Sequence, residues 1–323
     1  MLFWKKLGNL FNPTVAKPRD WMQEYAQCPT PFVLNENILR VYISTRPPRG
    51  ADRQYVSHPG YVDLARDDIS RVVGISAHPL MPLGNTGTFD EFGIMPSSVV
   101  RKGNEVYAYY TGWTRMSSVP YTVGIGMAIS RDGGESFEKP GEGPLLGLTL
   151  NEPYLANSPV VRVIGGRWHM WYLSGRKWLV CDGKPEIVFQ IVHATSADGI
   201  SWNRDGIPMV PTLSEDECQD IFMPFFLDDQ WHAIFAYRKP TGFRTDSARA
   251  YRLGYASSAD LVTWNRDDSQ VGIDVSPSGW DSQMMCSSQV IELDGRVLLF
   301  YCGNVFGREG FGAAELTGHG PRS

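Results

Sequence analysis

Apolar and polar positions alternate along the chain in short runs, and the runs recur at a fixed distance. A short apolar strand opens at Pro31, Pro96, Pro159, Pro224 and Ser288, with spacings of 65, 63, 65 and 64 residues. A polar turn and an aromatic strand follow each opener, at residues 39–43, 106–110, 168–172, 231–235 and 297–301. A third strand-like run then enters a tight turn, repeated as Ser130-x-Asp132, Ser196-x-Asp198 and Ser258-x-Asp260. An aromatic residue closes each copy: Phe137, Trp202 and Trp264. Asp-Gly or Asp-Leu between aromatic strands is a hairpin signal.

The unit therefore reads strand, turn, strand, long loop, strand, turn, strand. Four antiparallel strands repeated radially make a propeller blade. The pattern predicts an all-β, five-bladed β-propeller in one domain over residues 1–323, its blades starting near 31, 96, 159, 224 and 288. The fifth unit stops short after residues 310–315, so N-terminal residues are expected to complete its sheet. A sandwich or solenoid is the rival, but solenoid repeats are usually shorter.

Composition agrees: 12% aromatic residues, 33 Gly and 22 Pro suit strands and turns and argue against a helical bundle. The net charge of -5, with no basic run, excludes a general nucleic-acid surface. No apolar stretch is long enough to span a membrane. Lys5 and Lys6 interrupt the apolar N-terminus and no cleavage site follows, which reads as mature sequence of a cytoplasmic protein. The five cysteines are odd in number, scattered and without a CxxC pair, as expected of reduced thiols.

In a propeller the first strand of each blade lines the axis, so the residues just before the openers should meet at one mouth. Counting back seven gives Glu24, Phe89, Glu152, Glu217 and Asp281; in the second unit Asp90 and Glu91 follow Phe89. Like charges brought together raise one another's pKa, which suits one carboxyl to give a proton while another stays ionised. Glycosidic-bond cleavage needs such a pair. The bland alternative is that each acid caps a turn or pairs with an arginine. Glu24 is the weakest member, lying before the repeats begin.

With these turns, the acid before each inner strand and Glu217-Cys218 before the fourth, the chain resembles the five-bladed propeller glycosidases, which include β-fructosidases and the arabinanase/xylosidase group. Through residues 87–96, 170–175, 279–282 and 303–312 it is most similar to uncharacterised bacterial proteins of that superfamily, often encoded beside surface-polysaccharide genes. The resemblance implies a glycosidase-like enzyme, with Glu217 as proton donor in the β-fructosidase Glu-Cys motif. The family's Asn-Asp-Pro is absent, Ala26-Gln27-Cys28-Pro29 standing there, so Asp90 is the expected base or nucleophile and Glu91 its substitute. Glu152 and Asp281 would tune pKa or bind hydroxyls. Gln283 stands where the related proteins carry Glu, which implies altered or lost hydrolysis. The alternatives are a sugar-binding propeller without chemistry and an enzyme transferring or rearranging glycosyl groups of a nucleotide sugar.

No His/Cys spacing makes a zinc site, no phosphate loop precedes a helix, and no Gly-x-Ser-x-Gly elbow exists. No metal or cofactor is expected. His169 and His232 share one place in two aromatic strands and read as structural; His58 and His78 lie in loops. Trp113, Trp178 and Trp280 lie near strand ends at the mouth, placed to stack on a sugar. The second strands, antiparallel to the first, return to that mouth and end in Arg46, Arg115, Arg176 and Arg238; the fifth ends at Asn304. Such a ring suits bidentate recognition of an acidic sugar, sugar phosphate or nucleotide sugar. Arg46 and Arg238, each followed by a strand-breaking loop, are the leading contacts. Mutual salt-bridging with the acids is the alternative.

Overall fold

The structure, a computed structural model, describes residues 1–320. It is a five-bladed β-propeller. Strand β1 (Leu2–Phe11) belongs to the last blade. The first blade is β2 (Glu24–Val33), β3 (Ile38–Arg46), β4 (His58–Ala65) and β5 (Val72–Ile75). The second holds β6 (Gly93–Lys102), β7 (Glu105–Arg115) and β8 (Tyr121–Ser130). Its outer edge is reduced to two bridges, Ile125 to Leu146 and Ile129 to Glu138. The third is β9 (Ala156–Ile164), β10 (Arg167–Cys181), β11 (Lys184–Ser196) and β12 (Trp202–Pro208). The fourth is β13 (Cys218–Leu227), β14 (Gln230–Arg238), β15 (Arg252–Ser258) and β16 (Asn265–Arg266). The fifth is β17 (Cys286–Leu293), β18 (Arg296–Cys302) and β19 (Phe311–His319), and β1 pairs antiparallel with β19 to finish it. The N-terminal closure expected from the short fifth unit is thus present, and it ties the two ends of the chain together.

The repeated turn works by side-chain capping of backbone groups. Asp198 accepts from the amides of Ile200 and Ser201, and Asp260 from those of Val262 and Thr263. The serine hydroxyls of Ser196 and Ser258 accept from Gly199 and Leu261. Gly199 sits at φ 81, and Leu261, its counterpart, takes the same left-handed conformation at φ 65. The aromatic second strands fill the space between blades as expected: Trp171, Tyr109 and Phe235 are fully buried, and Trp264 meets Phe222 edge-on at 4.8 Å. No helix among the described residues is long and apolar enough to cross a membrane.

The inner strands β2, β6, β9, β13 and β17 surround the axis. Two polar bonds cross it between non-adjacent blades: Arg162 donates to the Val290 carbonyl (3.0 Å) and Gln289 to the Ser97 carbonyl (2.8 Å). They tie the inner strands together across the axis, and the central cavity is a funnel lined by residues near the strand starts.

Candidate functional site: a cationic, aromatic funnel

The four acids expected to converge are held apart, each inside its own blade. Asp90 accepts from Lys139 (2.6 Å) and the Tyr110 hydroxyl (3.0 Å). Glu152 accepts from Tyr172 (2.9 Å) and pairs with Arg204 of β12 (3.1 Å). Glu217 pairs with Arg266 of β16 (2.6 Å), and Asp281 accepts from Lys6 of β1 (2.7 Å) and Tyr301 (3.0 Å). All four are at most 2% exposed. Each bonds inner-strand loop to outer edge, with a second-strand tyrosine between them in three blades. None lines the funnel. Glu24 pairs with Arg308 (2.7 Å), and Glu91 accepts from the Gly87 amide (3.0 Å); neither reaches the funnel.

The funnel itself has a volume of about 600 Å³. Arg46, Arg115, Arg238 and Trp113 line it, as the antiparallel argument predicts. Arg176 does not: it turns within its blade to donate to the Gly206 carbonyl (2.7 Å). Trp280 is likewise outside, stacked on Tyr301 with centroids 5.1 Å apart. Arg49 and Arg244 join the wall from loops that the strand-end count does not reach. The lining thus carries five guanidiniums and one carboxyl, Asp220.

These arginines are not equivalent. Arg115 pairs with Asp52 (3.0 Å) and Arg244 with Glu186 (3.2 Å). Arg238 is buried, and its head, expected to be free, is occupied. It donates to the carbonyls of Lys239 (2.9 Å) and Pro240 (3.0 Å) and to the Tyr251 hydroxyl (3.1 Å). Arg46 has no carboxylate partner among the described residues. Its Nε donates to the Ser57 hydroxyl (3.1 Å), and its plane lies over Tyr25 (4.3 Å) and Tyr55 (4.6 Å). Burial pushes this guanidinium below its ordinary pKa and pushes the Tyr25 hydroxyl up to about 12.

Asp220 sits on the start of β13, where Oδ2 accepts from the Ser287 amide (3.1 Å). Burial raises its pKa, more than that backbone bond and the Arg238 charge lower it. Beside it are the free thiols of Cys28 and Cys286, kept protonated by the same desolvation. The inner strands break register here, between Gln27 and Thr30, Asp220 and Met223, and Cys286 and Gln289. Such bulges re-aim side chains. Six non-glycine wall residues are left-handed: Tyr25, Cys28, Ser158, Ser287, Val305 and Phe306. Strain of that kind, of order 1–3 kcal/mol per residue, gathers at functional sites.

Comparison with known proteins agrees with the architecture. The uncharacterised protein Rv1502 of Mycobacterium tuberculosis is 34% identical over 315 residues, 97% of this chain and 99% of that protein. This chain belongs to its family. No protein-family model matches. Among solved structures, a glycoside hydrolase superposes with a TM-score of 0.73 at 16% identity, covering 100% of this chain and 94% of that one. The β-1,2-mannobiose phosphorylase of Listeria innocua gives 0.66 at 12% identity, covering 98% and 96%. The structural neighbours are five-bladed propellers of the glycoside hydrolases, the fold that the repeats and turns of this chain predict.

Proposed function

We propose that the protein is a glycosidase-like enzyme that acts on a glycosidic bond of an anionic carbohydrate held in the funnel. The observation that carries this is Arg46: a partly buried guanidinium set against the rings of Tyr25 and Tyr55, with no carboxylate in ion-pair contact among the described residues. A buried charge is kept unpaired only where something else compensates it. A carboxylate or phosphate on the substrate does so bidentately. Trp113, Tyr55 and Phe306, also on the wall, supply flat faces for a sugar ring.

The glycoside hydrolases of the same fold support the reaction class. On this reading the chemistry lies at the funnel wall rather than at Asp90 and Glu217, which pair with Lys139 and Arg266. Matched neutral and anionic saccharides, titrated by calorimetry across a salt series, test the reading. Anionic members should bind more tightly, weaken with salt, and lose affinity in Arg46→Ala. Equal affinity for neutral sugars would mean that the arginines are scaffold.

A further inference from the structure

Arg46 shares its tyrosine. Its guanidinium carbon lies 4.6 Å from the centre of the Tyr55 ring, and that of Arg49 lies 4.2 Å from the same centre. Both side chains line the funnel, and neither makes an ion pair among the described residues. The carboxylates that reach Tyr55 and its loop are already taken. Glu24, which accepts from the Tyr55 hydroxyl (3.2 Å), pairs with Arg308 (2.7 Å), and Asp52 pairs with Arg115 (3.0 Å). The wall's carboxyl, Asp220, belongs to β13 and accepts from the Ser287 amide. Two guanidiniums are thus set against one ring with no counter-charge in contact with either, and a ring face attracts a cation far less than an anion does.

The platform is held in place by bonds of its own. Arg115 donates to the Tyr55 carbonyl (3.2 Å) as well as to Asp52, and the Ser57 amide donates to the Phe92 carbonyl (3.0 Å). Pro47 and Pro48 stiffen the short link between Arg46 and Arg49. Charges fixed in advance lose little freedom when a ligand arrives. A carboxylate carries one charge and fits one guanidinium fork. A phosphomonoester carries about −1.5 to −2 at neutral pH and three acceptor oxygens, enough for two forks.

We propose that Arg46 and Arg49 together hold a phosphoryl group of the substrate, so that the funnel takes a phosphorylated sugar or a sugar diphosphate rather than a uronic acid. This group is the same anion that the carbohydrate reading seats at Arg46, and the inference rests on that reading. A face for the sugar adjoins the clamp: Trp113 meets Phe92 at 6.1 Å, and Arg115 lies over the same ring at 3.9 Å.

The probes are matched pairs: phenyl phosphate with benzoate, glucose 6-phosphate with glucuronate, and uridine diphosphate glucose with methyl glucoside. Inorganic phosphate alone is a further arm. Each is titrated by calorimetry into wild type, Arg46→Ala, Arg46→Lys, Arg49→Ala and the double alanine variant. Phosphorylated probes should bind roughly tenfold or more tightly than their partners, and each alanine should remove about tenfold of that preference. Arg46→Lys should recover part of it, because an ammonium keeps the charge and loses the fork. Arg49 is exposed, so its alanine variant should keep the wild-type urea midpoint. No saturable binding of any phosphorylated probe to folded wild type, or an undiminished preference in Arg49→Ala, overturns the proposal. Carboxylates binding as tightly as phosphates also overturn it, but leave the anionic-carbohydrate reading standing. Inorganic and phenyl phosphate bound as tightly as every sugar phosphate would instead sink the carbohydrate reading and keep the phosphoryl site.

Discussion

Lys6 donates to Asp281 over 2.7 Å, although 275 residues separate them. The bond joins the N-terminal strand β1 to the loop entering β17, so it fastens the ring shut. Asp281 is 2% exposed and also accepts from the Tyr301 hydroxyl. Removing one partner of a buried pair strands the other charge, at about 3–5 kcal/mol. Lys6→Met should therefore lower the urea midpoint substantially, and Asp281→Asn, which keeps an acceptor for Tyr301, should do so less. An unchanged midpoint in Lys6→Met would show that the bond does not close the ring.

The same reasoning separates Glu217 from Asp220, three residues apart at the start of one blade. Glu217→Gln leaves Arg266 with only Asp268 as its carboxylate partner, at 2.8 Å, and should cost stability of the order of the Lys6 variant. It should not alter saccharide affinity in the funnel. Asp220→Asn should do the reverse. Chemical denaturation and calorimetric binding on both variants check the contrast; loss of affinity in Glu217→Gln at unchanged stability would restore Glu217 to the chemistry.

The fold was legible because turn chemistry and strand alternation repeat in five copies, and a repeat is read without knowing any contact. Even the partners of the acids are written there. A base stands two residues after the turn aromatic at Phe137 and Lys139, Trp202 and Arg204, and Trp264 and Arg266, and again at Trp4 and Lys6. The arginines at second-strand ends reached the funnel at Arg46, Arg115 and Arg238, whereas β10 runs on past Arg176 to Cys181 with a register break between Gly175 and Lys177. Asp220, Tyr25 and Cys28 were not legible. Counting along a strand assumes an unbroken pleat, and the register breaks between Glu24 and Gln27, Gln27 and Thr30, and Asp220 and Met223 re-aim the side chains at these residues. Charge alone could not separate buried clamps from a funnel carboxyl, since both are single acids at or just ahead of the start of an inner strand.

Leu261 occupies the turn position that Gly199 fills in the preceding copy, both left-handed. An L-residue there costs about 1–2 kcal/mol. The side chain is nevertheless 7% exposed and packs with Trp264 and Phe235, and losing such a buried leucine costs about 2–5 kcal/mol. Burial outweighs backbone strain. Leu261→Gly should thus lower the melting temperature despite relieving the backbone, as thermal unfolding by circular dichroism will show; a higher melting temperature would mean that strain dominates.

Asp220 also sets a pH dependence whose sign opposes that of the hairpin carboxylates. Burial is the largest single influence on Asp132 and raises it, but the hydroxyls of Ser130 and Ser136 and the amides of Ser136 and Glu135 together outweigh it and hold the carboxyl at about 2. A depressed acid stabilises the fold above its unfolded value of 3.8, and that contribution is lost as pH falls toward 2. For Asp220 the folded value is raised, chiefly by burial. Between the unfolded value, about 4, and the raised one, the folded state binds more protons than the unfolded state, so stability falls as pH rises through that window. The groups around it do not reverse the slope: Arg238 stays cationic, and Cys28, Cys286, Cys302 and Tyr251 stay neutral because burial raises each of them. Asparagine keeps the acceptor for the Ser287 amide and carries no charge to desolvate. Asp220→Asn should therefore flatten the loss of stability above pH about 4 and equal or exceed wild type at neutral pH. Urea unfolding at a series of pH values reads this directly, and a variant less stable than wild type by the same amount at every pH would show that Asp220 is a structural hydrogen-bond acceptor with no proton to give.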